Sequence, residues 1–184
     1  MLMNTYKNQA GVGLVEVLVA LLLLAVGVLG YTILQLRAVD ASSEALMRSQ
    51  GIMVLRGLSE NMRANPAAQN SYPAAVRTYT NITATPTAPT RVCFNPAATA
   101  TCTPAQMATY DAFMAAKSAF DLGMNITMDN CPGVASAPVK RQCLYAAWGD
   151  TAISATNTAA DVSACMSATG VYVNGSKCLM MEAY

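Results

Sequence analysis

Histidine is absent from the chain, and six cysteines are its strongest nucleophiles and softest metal ligands. Without imidazole there is no Ser-His-Asp or Cys-His nucleophile system and no zinc site that needs a nitrogen ligand. Cys93, Cys102, Cys131, Cys143, Cys165 and Cys178 contain no C-x-x-C pair, which disfavours a zinc ribbon or a dithiol redox centre. Their even number, all C-terminal to a long apolar run, points to an oxidising compartment and a disulfide framework. Fifteen pairings are open to six cysteines. Sequential closure, as Cys93–Cys102, Cys131–Cys143 and Cys165–Cys178, is the simplest because each bond then closes a short loop. Asp40 and Glu44 stand one helical turn apart and read as a solvated face, and neither Ser176-Lys177 nor Lys117-Ser118 presents a Ser–Lys dyad. There is no phosphate-binding glycine loop and no EF-hand pattern. A net charge of +1 gives no electrostatic case for nucleic acid. The sequence therefore predicts no catalytic residue, no metal, no cofactor and no enzyme.

One carboxylate stands where chemistry is expensive. Glu16 heads an uncharged run from Val17 to Leu36, long enough at the helical rise to cross about 30 Å of hydrocarbon. A carboxylate inside such a segment costs about 2.5–3.5 kcal/mol on insertion scales, so it marks either a headgroup contact or a partner charge. Position alone leaves both open.

The elements around these residues follow from composition and period. The chain has 184 residues, of which 54% are hydrophobic and only 11% charged. One helix is predicted over about 14–64, apolar all round in residues 12–36 and amphipathic in 37–65. Val39, Leu46 and Met53 recur every seven residues there, with Leu36, Leu55, Leu58 and Met62 beside them. Gly27 and Gly30 predict a softened stretch, and Asn65-Pro66 predicts the stop. Residues 66–184 form the C-terminal domain. It opens with an Ala/Thr/Pro-rich loop to Thr103. A helix then runs from Pro104 to about Leu122, with Thr103 and Gln106 as a capping box and Gly123 as its terminator. Met107, Tyr110, Phe113, Met114 and Phe120 mark its apolar side. Strands are predicted at Asn125–Met128, Gln142–Trp148, Gly170–Val173 and Lys177–Ala183, the last two as a hairpin about Asn174-Gly175. Tyr145 and Trp148 read as core, and Asn81, Asn125 and Asn174 as turn residues. The fold class is α+β, a long N-terminal hydrophobic helix packed on a small antiparallel sheet and stapled by disulfides.

The stretch QAGVGLVEVLVALLLLAVGVLG resembles the class III signal of type IV pilins, and its wording is most similar to PilV-type minor pilins. The resemblance covers roughly the first forty residues. It implies a leader of residues 1–11, cleavage between Gly11 and Val12 by a prepilin peptidase, and N-methylation of Val12. It makes Glu16 the assembly charge, five residues into the mature chain. Val12 replaces the family's usual phenylalanine, Gly13 its usual Ser or Thr, and Ile33 the proline of major pilins. The implied role is a minor pilin of a type IV pilus, a single-pass inner-membrane protein that is then incorporated at the pilus tip or initiation complex and displayed at the cell surface. Cell adhesion and twitching motility accompany that role. The implied partners are other minor and major pilins through the N-terminal helix, the peptidase, the membrane and a tip adhesin. A type II secretion minor pseudopilin is the nearest rival, and a membrane-anchored periplasmic binding domain the rival from another class.

Overall fold

A computed structural model describes residues 11, 13–94, 101–134, 138 and 140–184. Residues 1–10 of the leader and Val12 lie outside the described residues. The apolar run and the amphipathic stretch behind it form one helix, α1, Leu14–Ala64, with no break at Gly27 or Gly30. The expected softening is absent because leucine- and alanine-rich flanks offset the roughly 1 kcal/mol that each glycine costs. The chain divides into two units, Met1–Glu44 and Ala45–Tyr184.

Within the second unit, α1 buries Gly51, Leu55, Leu58, Ser59 and Met62. Leu55, Leu58 and Met62 are buried as the pattern predicted, but its seven-residue repeat Val39, Leu46 and Met53 is exposed, as is Leu36. The reason is a glycine, which carries no hydropathy signal. A Cβ added to Gly51 would stand 2.8 Å from Leu179 Cδ2, so the helix meets the sheet most closely where a side chain is missing.

Residues 66–78, read as linker from composition, are helical. A 3-10 turn at Pro66–Ser71 leads into α2, Tyr72–Thr78, and each has proline in its first two positions, where a missing N–H leaves no bond unmade. Helix α3, Pro104–Asp121, has the expected cap: Gln106 N–H donates to Thr103 Oγ1 at 3.3 Å, and Thr103 N–H to Gln106 Oε1 at 2.9 Å. Gly123 takes a positive φ of 72° just beyond its end. Its buried stripe, however, is Ala108, Ala112, Ala116 and Ala119 with Phe113, while Met114 is exposed and Met107, Tyr110 and Phe120 are half-buried. Alanine lets α3 lie close to its neighbours, and the bulkier side chains are turned aside.

Tyr72 joins the helices. Its hydroxyl is 2.6 Å from Asp111 Oδ2 and accepts from Asn65 Nδ2 at 3.3 Å. Burial holds the Asp111 carboxyl above the usual carboxylate range, only partly opposed by the Tyr72 hydroxyl. The folded state therefore binds that proton more tightly than the unfolded one. The associated stability is complete below the unfolded pKa and is lost as pH rises through the folded one. Asp111→Asn keeps an acceptor for Tyr72 and removes the titration. We expect its melting temperature to gain on wild type as pH rises above about 4, and then to level off once the folded-state carboxyl has ionised. A difference independent of pH would show that the carboxylate carries no burial penalty.

Three strands make the main sheet: β1, Met124–Asn130; β2, Gln142–Trp148; and β5, Cys178–Glu182, ordered β1-β2-β5 and antiparallel throughout. Between β2 and β5 lie the two-residue strands β3, Ser154–Ala155, and β4, Ala160–Asp161, which pair with each other. Alternation sends Met124, Ile126, Met128, Leu144, Ala146, Trp148 and Leu179 into the core with the helices. Cys143, Tyr145, Ala147 and Cys178 go to a second core with Cys131, Ile153, Cys165 and Met166. Strand β2 is covered on both faces, which is why QCLYAAW reads as an unbroken apolar run. Disulfides join Cys93 to Cys102, Cys131 to Cys143 and Cys165 to Cys178. The outer edge of β1 is blunted by side chains: Arg77 Nη1 donates to Met128 O at 3.1 Å and Thr80 Oγ1 to Ile126 O at 3.1 Å.

The predicted strand at Gly170–Val173 does not form. Only Tyr172 bridges, and to Met166, while its hydroxyl accepts from Met180 N–H of β5 at 3.0 Å. The Asn174-Gly175 turn survives without its hairpin, with Ser176 N–H donating to Val173 O at 3.0 Å and Gly175 at a positive φ of 77°. Asn81 lies in a turn, as read, at a positive φ of 55°, whereas Asn125 lies inside β1 and accepts from Ile82 N–H at 3.1 Å.

Candidate assembly segment

The candidate site is the head of α1. Gly13 starts the helix: its carbonyl accepts from Glu16 N–H at 2.9 Å and from Val17 N–H at 3.3 Å. Glu16 thereby falls in the first turn, where the free N–H groups and the positive end of the helix dipole favour a negative charge. Among the described residues, no ion pair or hydrogen bond engages its side chain. Behind it, every residue from Val17 to Leu36 is exposed, so the uncharged half of α1 covers none of its own apolar surface.

Gly11 is exposed, and a Cβ placed there would meet no atom within 4 Å. Its own fold does not require glycine. Any requirement for it comes from outside the chain. Val12, the expected first mature residue, lies outside the described residues, so its distance from Glu16 is not part of the geometry. Among the described residues no cluster of three His, Cys, Asp or Glu side chains is arranged to hold a metal, and all six sulfurs are bonded to one another. Sequence reasoning did not find the groove between α1 and α3, lined by Met53, Gly57, Asp111 and Met114, because its walls come from segments far apart in the chain.

A helix with one carboxylate at its head and twenty uncharged, uncovered residues behind it is consistent with membrane anchoring. Two family profiles adjoin on it. The prokaryotic N-terminal methylation motif matches residues 6–32 and the type IV pilin Tt1218-like family matches residues 33–113. Neither a curated protein nor a solved structure gives a significant match. The two matches support a type IV pilin-like protein, and with it a pilin or pseudopilin role. The profiles stop short of the sheet and of two of the three disulfides, so that part of the chain is read from its own geometry.

Proposed function

We propose that the chain is a minor subunit of a type IV pilus. It is held in the inner membrane by the first half of α1, with the disulfide-bonded domain on the oxidising side. It is cleaved between Gly11 and Val12, methylated at Val12, and then drawn into an initiation or tip complex. The observation that carries this reading is Glu16, alone at the head of a fully exposed apolar helix. Cleavage removes Lys7 with the leader and creates an α-amine on Val12, cationic at neutral pH. A neighbour's Glu16 neutralises that amine in a medium of low dielectric, where opposite charges attract far more strongly than in water. The pair sets the register as apolar helices slide past one another, and the helices supply the area that is buried.

The open space around Gly11 makes a clean test, since a large side chain there does not disturb the chain's own packing. Gly11→Trp is expected to retain the leader completely, because the peptidase site is matched to a residue without a side chain. Intact-mass analysis of membrane fractions reads this directly. Maturation of the variant at the same bond as wild type would place the cleavage point elsewhere and remove the assigned roles of Val12 and Glu16.

A further inference from the structure

On the face of the sheet turned away from the helices, beside the second core, lies an open pocket of about 360 Å³. Asp129 of β1 and Asp161 of β4 supply its carboxylates, Tyr145 of β2 reaches it from the core, and Pro132, Val162 and Met166 give it apolar walls. Among the described residues no lysine or arginine lines it.

Tyr145 is wholly buried, yet its hydroxyl has no hydrogen-bond partner among the described residues. A buried hydroxyl left unmatched is destabilising, and phenylalanine would fill the same space without that cost. The two ionisable groups that bear on it are engaged elsewhere: Asp129 Oδ2 accepts from Ala160 N–H, and the Tyr172 hydroxyl from Met180 N–H. Asp161 is exposed, and the Ser163 hydroxyl and N–H hold its carboxyl below the usual carboxylate range, so it is charged at neutral pH. Arg77, 3.9 Å from Asp129 Oδ1, offsets one of the two charges, and among the described residues no ion pair engages Asp161.

We infer that this pocket binds a primary ammonium group on an unbranched apolar stem, as borne by a lysine side chain or a free alkyl diamine. An ammonium has three donors and no acceptor, and Asp129, Asp161 and the Tyr145 hydroxyl are three acceptors set round one space. The stem lies along Pro132, Val162 and Met166, as lysine stems do on apolar surface. A guanidinium is a planar fork, better matched to the paired oxygens of one carboxylate than to two separate carboxylates and a phenol. A hard divalent cation demands about six oxygen ligands, and no three His, Cys, Asp or Glu side chains are arranged for one among the described residues.

The test titrates the isotope-labelled full-length chain, in detergent micelles, with N-acetyl-lysine methylamide. The backbone amide resonances of Ala160 and Ser163 are followed, because their N–H groups donate to Asp129 and Asp161. We expect saturable shifts at both, with a dissociation constant of about 1 mM, and none with the norleucine analogue, which keeps the stem and lacks the charge. Asp161→Asn should weaken binding roughly tenfold and Tyr145→Phe roughly fivefold. Tyr145→Phe should melt no lower than wild type, since the hydroxyl it loses has no partner, so weaker binding cannot be put down to unfolding. Cadaverine separates the sources: tighter binding than the lysine derivative assigns the pocket to a free diamine, weaker binding to a protein side chain. Equal shifts with the norleucine analogue, tighter binding of the arginine analogue, no saturation in the millimolar range, or indifference to either substitution would overturn the inference.

Discussion

Glu16→Ala is expected to insert and to be cleaved as wild type does, yet to reach fibres several-hundred-fold less often or not at all. A carboxylate that merely touched headgroups would be dispensable, and its loss would leave insertion unchanged or improved. A carboxylate that answers a neighbour's Val12 amine has a different signature. Removing one partner of a buried pair leaves the other uncompensated, a penalty of about 3–5 kcal/mol, which is several-hundred-fold or more in association. The ratio of variant to wild-type protein in sheared fibres, divided by the same ratio in membranes, isolates docking from insertion. An unchanged quotient with normal cleavage would reduce Glu16 to a tolerated interfacial charge.

The second large effect is expected at Asp129, at the end of β1. Its Oδ1 accepts from Asn130 N–H at 2.7 Å and its Oδ2 from the backbone N–H of Ala160 in β4. It also faces Arg77 of α2, whose Nη1 lies 3.9 Å away on a side chain only 11% exposed. One carboxylate thus ties the helical layer to the disulfide-pinned lobe across the sheet. Among the described residues, two of its neighbours each leave a buried polar atom without a hydrogen-bond partner, Arg77 Nε and the Tyr145 hydroxyl. Burial, with the charge of Asp129 nearby, pushes the Tyr145 phenol up to about 12. Asp129→Ala unties the lobe and strands a nearly buried guanidinium. We expect a loss of about 3 kcal/mol and a melting temperature lower by roughly 6–12 °C, followed by near-ultraviolet circular dichroism on the full chain. Arg77→Met in the same background should return part of that loss, because it removes the stranded charge. A melting temperature unmoved by Asp129→Ala would show the tie to be ornamental.

What the sequence disclosed was local. The limits of α1 were readable because Asn65-Pro66 ends a helix by its own sterics, and the start of α3 because a capping box is a contact over three residues. Strand β2 was readable because burial on both faces writes an unbroken apolar word. Misreadings came where a partner decides. The packed face of α1 includes Gly51 beside Leu55, Leu58 and Met62, and α3 is seated on alanines with Phe113, so Met53 in one helix and Met114 in the other were misplaced. Residues 170–173 have the composition of a strand, yet Tyr172 bridges Met166 and reaches β5 only through its hydroxyl. The 66–78 segment looked like linker because alanine, asparagine and proline carry little periodicity, although Tyr72 and Val76 are wholly buried. At the site, Glu16 stood out because a charge beside a greasy run is conspicuous on the page. The role proposed for Gly11 is recognition by a peptidase, which leaves no mark on the chain's own packing.

The disulfide pattern has a consequence for the order of events during export. Each cysteine is bonded to the next one along the chain, across separations of 9, 12 and 13 residues. A chain that emerges from its N-terminal end into an oxidising compartment therefore never needs to present more than one unmatched thiol. Cys93 meets Cys102 before Cys131 has appeared, and Cys143 closes on Cys131 before Cys165 follows. Of the fifteen possible pairings, fourteen require a cysteine to wait past an available neighbour. Vectorial emergence of such a chain favours the native set, without the slow reshuffling, from seconds to hours, that interleaved disulfides require.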